Sequence, residues 1–262
     1  MNVFFLYIFI FFFGGIIGSF LGVVVERLNN DETIIFGRSH CSSCHHQLVW
    51  YDLVPFFSYL SLRGRCRYCR SPIPLFLPLI ELVTGGIFLL LFFYLKTTAA
   101  LFLPIIFFSY ILASCLVIIF FSDLKYHLIY DKVIIFAILL VLILQLINGA
   151  NLIVYLLSAL GASAFFYLLH WLGPKIFGQP AMGWGDIKLA TPMGLFLGFP
   201  GIAVAFYLAF LSGALIGVIL IVAKKVKMKS EVPFGCFLVS ATFAVWFWSD
   251  QLINLFKTIF IY

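Results

Sequence analysis

The chain has 262 residues, of which 64% are hydrophobic, 19% aromatic and 10% charged, with a formal net charge of +6. Soluble globular domains carry about 25% charged residues and disordered chains lack this apolar excess, so both classes are excluded. A helical span consumes ~20 apolar residues, which sets a ceiling of roughly eight spans.

Val3 to Val25 is long enough to cross a bilayer. It has no basic leading stretch and no small-residue cleavage site behind it, so residues 1–25 read as a first transmembrane helix rather than a signal peptide. Residues 26–74 are a polar block carrying Cys41-Ser-Ser-Cys44 and Cys66-Arg-Tyr-Cys69. Two such pairs supply the four thiolates of a tetrahedral zinc site, each pair forming one knuckle. A block this small cannot build a large core, and a metal staple compensates. Disulfides, iron–sulfur ligation and free thiols are the alternatives, and a cytoplasmic placement argues against the first. Arg63, Arg65, Arg67 and Arg70 interleave the second pair and read as a positive-inside anchor, or else as receivers of an anionic group. Glu26, Asp31, Glu32 and Asp52 read as solvated charges, with attraction of a basic peptide as the alternative.

Residues 75–262 hold seven further apolar runs, at about 75–95, 101–122, 128–148, 151–173, 187–199, 201–223 and 232–249. The run at 187–199 is the shortest. The second span contains Glu81. Asp123 closes the third span, Asp131 opens the fourth, and Asp186 precedes the sixth within Gly183-Trp-Gly-Asp-Ile-Lys188. An ionisable group at this depth costs several kcal/mol and asks for a reason. Asp123 and Asp186 come from distant segments but fall at one depth on one face. Two carboxylates sharing a proton can activate water while polarising a carbonyl. Interfacial pairing with lysine, or an ion path, is the rival reading. Lys125 and Lys188 are expected to reach phosphate headgroups, and Cys115 and Cys236 to pack in the core.

With the N-terminus outside, 14 of the 16 Lys and Arg residues fall on the cytoplasmic side, leaving Lys96 and Lys257 outside. The expectation is an all-α polytopic membrane protein of eight spans, both termini outside, with a small cytoplasmic zinc-binding insert between helices one and two. The positive charge then describes topology and lipid headgroups, with no nucleic-acid partner.

In this order the segments resemble the bacterial type IV prepilin leader peptidases, membrane aspartyl proteases of the glycine-x-glycine-aspartate type. The resemblance runs through Gly18–Arg27, Arg38–Cys41, Trp50–Leu60, Leu62–Cys69, Glu81, Gly183–Lys188 and Val232–Gly235. It implies that Asp123 and Asp186 are the catalytic pair; among the ten carboxylates Glu81 and Asp131 stand as the reserves. It also implies cleavage of a short basic leader from prepilins or pseudopilins at the cytoplasmic face of a bacterial inner membrane. N-methylation of the new N-terminus with S-adenosylmethionine is implied too, and no residue for binding that donor is assigned. The Cys41–Cys69 zinc block accompanies this bifunctional branch. Gly22, Tyr130 and Cys236 depart from the family pattern, which often has Asn, Pro and Pro there.

Overall fold

The computed structural model describes residues 3–30, 32–33, 39–98, 102–178, 182–223 and 233–260. Arg38, Asp31, Glu231, Val232 and the lysines at 224, 225, 227 and 229 lie outside the described residues. Among the described residues eight α-helices follow in order, besides a 3-10 turn at Trp50–Asp52: α1 (Val3–Asn29), α2 (Phe57–Ser61), α3 (Phe76–Thr97), α4 (Leu103–Tyr126), α5 (Asp131–Ile147), α6 (Leu152–Phe177), α7 (Trp184–Val222) and α8 (Phe234–Phe260). The described residues form no sheet.

Six of these helices are long and apolar enough to cross a membrane. The 17 residues of α5 are nearly so, and the 39 of α7 are two helices joined at a break. The count therefore matches the eight apolar runs, and the molecule is a multi-pass membrane protein. Many large apolar side chains point outward, including Phe5, Phe9, Phe107, Leu157 and Leu215. Such a surface suits hydrocarbon and would aggregate in water.

Residues 1–118 and 119–262 form two compact units, with α4 running from one into the other. In the first unit α1 packs closely on α3 through small residues. A Cβ on Gly14 would lie 2.8 Å from the Gly85 Cα, and one on Gly18 would lie 2.8 Å from the Glu81 Cα. The insert between these helices carries Phe56, whose left-handed φ of 61° is held from two sides. Its N–H donates to Glu81 Oε2 at 3.0 Å, and its ring stacks on Phe11 at 5.6 Å.

In the second unit α7 packs on both α6 and α8. Gly194 allows this approach, since a Cβ there would lie 2.6 Å from the Ala159 Cα. The break in α7 falls at Gly198, with φ of 61°, and Phe199. Backbone freed inside hydrocarbon must find partners within the protein. The Phe199 N–H donates to Ser158 Oγ at 3.0 Å. Gln145 Nε2 donates to the carbonyls of Leu195 and Phe196 at 2.9 and 3.2 Å. The break thus reverses the chain, and residues 184–197 and 200–222 act as separate spans.

Candidate active site

Asp123 and Asp186 both belong to the second unit and are buried, at 6% and 9% exposure. Each carboxylate is lodged at the start of a helix, where free N–H groups and the macrodipole favour negative charge. Asp123, near the end of α4, accepts the Cys236 N–H at 3.0 Å in the first turn of α8. Asp186 lies in the first turn of α7 and reaches back to the Gly183 N–H at 3.3 Å. The two turns that hold these carboxylates are neighbours, since Ile129 packs against both Gly185 and Gly235.

Small residues open this space. A Cβ on Gly235 would meet Asp123 Oδ2 at 2.8 Å. A Cβ on Gly185 would meet Ile129 at 3.1 Å, and the Ile129 Cδ1 also lies 3.0 Å from the Gly235 position. Ile129 therefore fills the gap between the first turns of α7 and α8. His127 ends α4 in the left-handed region, with φ of 54°. Its N–H donates to the Asp123 carbonyl at 2.9 Å. His170 Nδ1 lies 2.7 Å from the Met182 carbonyl oxygen, and its ring packs on Trp184 at 4.9 Å. It fixes the turn that presents Gly183–Asp186, which makes it a packed residue outside the carboxylate pair.

Asp131 is drawn away from the pair. Lys188 Nζ binds both of its oxygens, at 2.7 and 2.9 Å. This corrects the expectation that Lys188 reaches for headgroups, because the first turns of α5 and α7 lie close enough for a direct bond. The partners are 46% and 60% exposed, so solvent screens the pair. Lys188→Ala is expected to cost no more than about 1 kcal/mol of stability, read by thermal unfolding. A collapse of the fold would show that the pair matters more than its exposure suggests.

Glu81 belongs to the first unit, where it serves the Phe56 turn rather than standing free. The insert above it holds the four cysteines in two matching knuckles. Cys41 donates its N–H to the His46 carbonyl and accepts from His45, and Cys66 does the same with Ser71 and Arg70. His45 and Arg70, each four residues past the first cysteine of its pair, share a positive φ of 53° and 58°. The isolated bridges His40–Gln47 and Arg65–Pro72 close the two knuckles at equivalent places.

The four Sγ atoms lie within 4.8 Å of one another, and those of Cys41 and Cys69 are 3.8 Å apart. Zinc–sulfur bonds of ~2.3 Å at tetrahedral angles place sulfurs about 3.8 Å apart, so the cluster fits such an ion. Burial opposes ionisation of Cys41, but the N–H groups of Cys44 and Ser43 and the Ser71 hydroxyl bring its pKa down to about 6. Cys69 is also lowered, first by the Ser71 hydroxyl. Cys44 is pushed up to about 11: the backbone N–H of His46 is outweighed by desolvation and the Cys69 and Cys41 sulfurs. Four crowded thiols cannot all ionise unaided, and a bound cation removes that conflict.

Comparison with known proteins agrees with this layout. A model described as the Bacterial Peptidase A24 N-terminal domain matches residues 12–95, and one described as the Type IV leader peptidase family matches residues 110–218. A prepilin leader peptidase/N-methyltransferase of Myxococcus xanthus (strain DK1622) is 32% identical over 219 residues, covering 82% of this chain and 63% of that protein. Proteins of the same name from Aeromonas hydrophila and Bacillus subtilis (strain 168) are each 29% identical. They cover 96% and 94% of this chain, and 94% and 96% of their own lengths. No solved structure matches. Between them the two models span both units, and the chain belongs to the type IV leader peptidase family.

Proposed function

We propose that this chain is a prepilin leader peptidase and N-methyltransferase in which Asp123 and Asp186 perform the cleavage. The observation that supports the reading is the burial of both carboxylates, Asp123 against the first turn of α8 and Asp186 within that of α7. They share one proton: mutual repulsion at this burial disfavours two charges. The ionised carboxylate takes a proton from water as the oxygen attacks the scissile carbonyl carbon. The protonated one hydrogen-bonds the carbonyl oxygen as charge develops on it. When the C–N bond breaks, a carboxylic acid proton passes to the leaving amine. The charge distribution supports a cytoplasmic placement of this chemistry with both termini outside, since 14 of the 16 Lys and Arg residues then lie inside.

The substrate's apolar helix lies among the spans while its basic leader stays in the cytoplasm. A helical peptide bond is shielded by its own hydrogen bonds, so the cleavage point must be extended. Exposure of the purified chain to a synthetic prepilin segment tests the whole reading by mass spectrometry. The expected products are a released leader and, with S-adenosylmethionine, a mature segment heavier by one methylene. An intact substrate would contradict it. S-adenosylmethionine supplies the electrophilic methyl group.

Cys41, Cys44, Cys66 and Cys69 hold structural zinc in this reading. Cys66→Ser, at the buried member of the cluster, is expected to drop bound zinc from one per chain to well below that. Metal analysis of the purified protein reads the change, and undiminished zinc would place the ion elsewhere.

A further inference from the structure

The insert between α1 and α3 is polar around its cysteines and apolar between the two knuckles. Ser42, Ser43, His45 and His46 of the first knuckle, and Arg65, Arg67 and Arg70 of the second, are exposed. Between them Trp50, Tyr51, Leu53, Phe57 and Leu60 leave apolar surface uncovered, with Phe57 at 57% and Leu60 at 70% exposure. The depth of this stretch is fixed against α1. The Phe56 ring stacks on Phe11 at 5.6 Å and the Phe57 ring on Phe12 at 5.7 Å. A Cβ on Gly15 would meet the Phe56 ring at 2.8 Å. The apolar run of α1 is Val3–Val25, and a span uses ~20 of those residues. Whichever are used, Phe11, Phe12 and Gly15 fall inside the hydrocarbon, and Phe12 lies at least about 15 Å from the insert's side at the rise of an α-helix. The second wall agrees. Glu81, which accepts the Phe56 N–H, lies about 7.5 Å of helix beyond Phe76, where α3 begins. The backbone suits such a place. Ser58 and Leu60 return their N–H groups to the carbonyls of Val54 and Phe56 at 3.1 and 3.0 Å, and Ser58 Oγ donates to the Val54 carbonyl at 2.6 Å. Irregular backbone survives in hydrocarbon only with partners of this kind.

We propose that residues 53–60 dip into the bilayer from the insert's side and rest against phospholipid acyl chains, with Glu81 as their anchor. The insert is then cytoplasmic only in part. At this depth Phe57 and Leu60 are uncovered by protein, and acyl chain is the medium that surrounds them. Trp and Tyr concentrate at headgroup level. Trp50 and Tyr51 lead into the dip, with the Arg67 guanidinium 4.9 Å from the centre of the Tyr51 ring. The assignment also gives Glu81 its reason for lying within a span: it satisfies the N–H that the left-handed turn at Phe56 leaves free. Because a knuckle flanks the dip on either side in sequence, the dip holds the metal-bearing insert against the membrane surface. The assignment depends on α1 and α3 being spans and is independent of leader cleavage.

Photolabelling tests this on the full chain. The protein is reconstituted in phosphatidylglycerol and phosphatidylcholine bilayers that contain a phosphatidylcholine with a diazirine in mid-chain. After irradiation and proteolysis, mass spectrometry locates the lipid adducts. Residues 53–60 are expected to be labelled within a few-fold of the outward-facing α1 residues Phe5 and Phe9. They should exceed His40–Gln47 by about tenfold or more, since acyl chains do not reach an aqueous knuckle. Label on α1 with no more on 53–60 than on His40–Gln47 would overturn the proposal. Glu81→Leu removes the acceptor and is expected to lower the label on 53–60 several-fold with α1 labelled as before, whereas Glu81→Gln keeps an acceptor oxygen and should keep the label. Equal label on 53–60 in Glu81→Leu and the parent would remove Glu81 as the anchor. Addition of a synthetic prepilin segment is expected to leave the pattern unchanged. A loss of label confined to 53–60 would give the surface to the substrate helix and overturn its assignment to lipid.

Discussion

Asp123→Asn and Asp186→Asn are each expected to lower the rate of leader release by about a thousandfold or more, the scale of losing a general acid or base together with its electrostatic partner. Asn keeps the shape of the side chain and can still accept the N–H of Cys236 or Gly183. It can neither accept the proton of attacking water nor carry the shared proton. The loss should therefore appear in kcat, with zinc content and thermal unfolding close to those of the parent. Removing a buried charge relieves desolvation, so either variant is expected to unfold no earlier than the parent.

Gly235→Ala is expected to reduce leader release about a hundredfold although both aspartates remain in the chain. The added methyl would sit 2.8 Å from Asp123 Oδ2, too close for that oxygen to stay. The carboxylate must turn away from the first turn of α8, and a displacement near 1 Å costs about a hundredfold in a positioned reaction. Gly217→Ala is the control, since a Cβ there meets nothing within 4 Å. It should retain the parental rate, and equal losses in the two variants would remove the steric explanation.

Much of this arrangement is legible in the sequence because it depends on local chemistry. Runs of apolar residues specify spans, and the paired cysteines specify knuckles whatever surrounds them. The aspartates stand out because only 10 of the 262 residues are Asp or Glu. What is not legible is how each helix is rotated about its own axis. In a soluble protein the 3.6-residue period separates core from surface. Here lipid and core are both apolar, so the period is faint and long-range partners cannot be read from it. The contact of Gly235 with Asp123, the filling of the gap by Ile129, and the bond between Lys188 and Asp131 all depend on rotation. The reversal in α7 lies between these cases. Gly198-Phe-Pro200 announces a break, but Ser158 and Gln145, which satisfy the freed backbone, sit about forty to fifty residues away in the chain. Helix ends also shift: α1 continues past Val25 through Glu26 and Arg27 to Asn29, and α7 starts early enough to hold Asp186 in its first turn.

The central claim is that Asp123 and Asp186, and no other acid of the second unit, carry out leader cleavage. The initial rate of leader release by four purified chains, the parent, Asp123→Asn, Asp186→Asn and Asp131→Asn, tests it in one experiment at matched zinc content. Asp131 is the discriminating comparison because it sits eight residues from Asp123 in sequence, yet its oxygens are held by Lys188. The expected result is no measurable release by the first two variants and release within a few-fold of the parent by Asp131→Asn. Release near the parental rate by either Asp123→Asn or Asp186→Asn would contradict the claim.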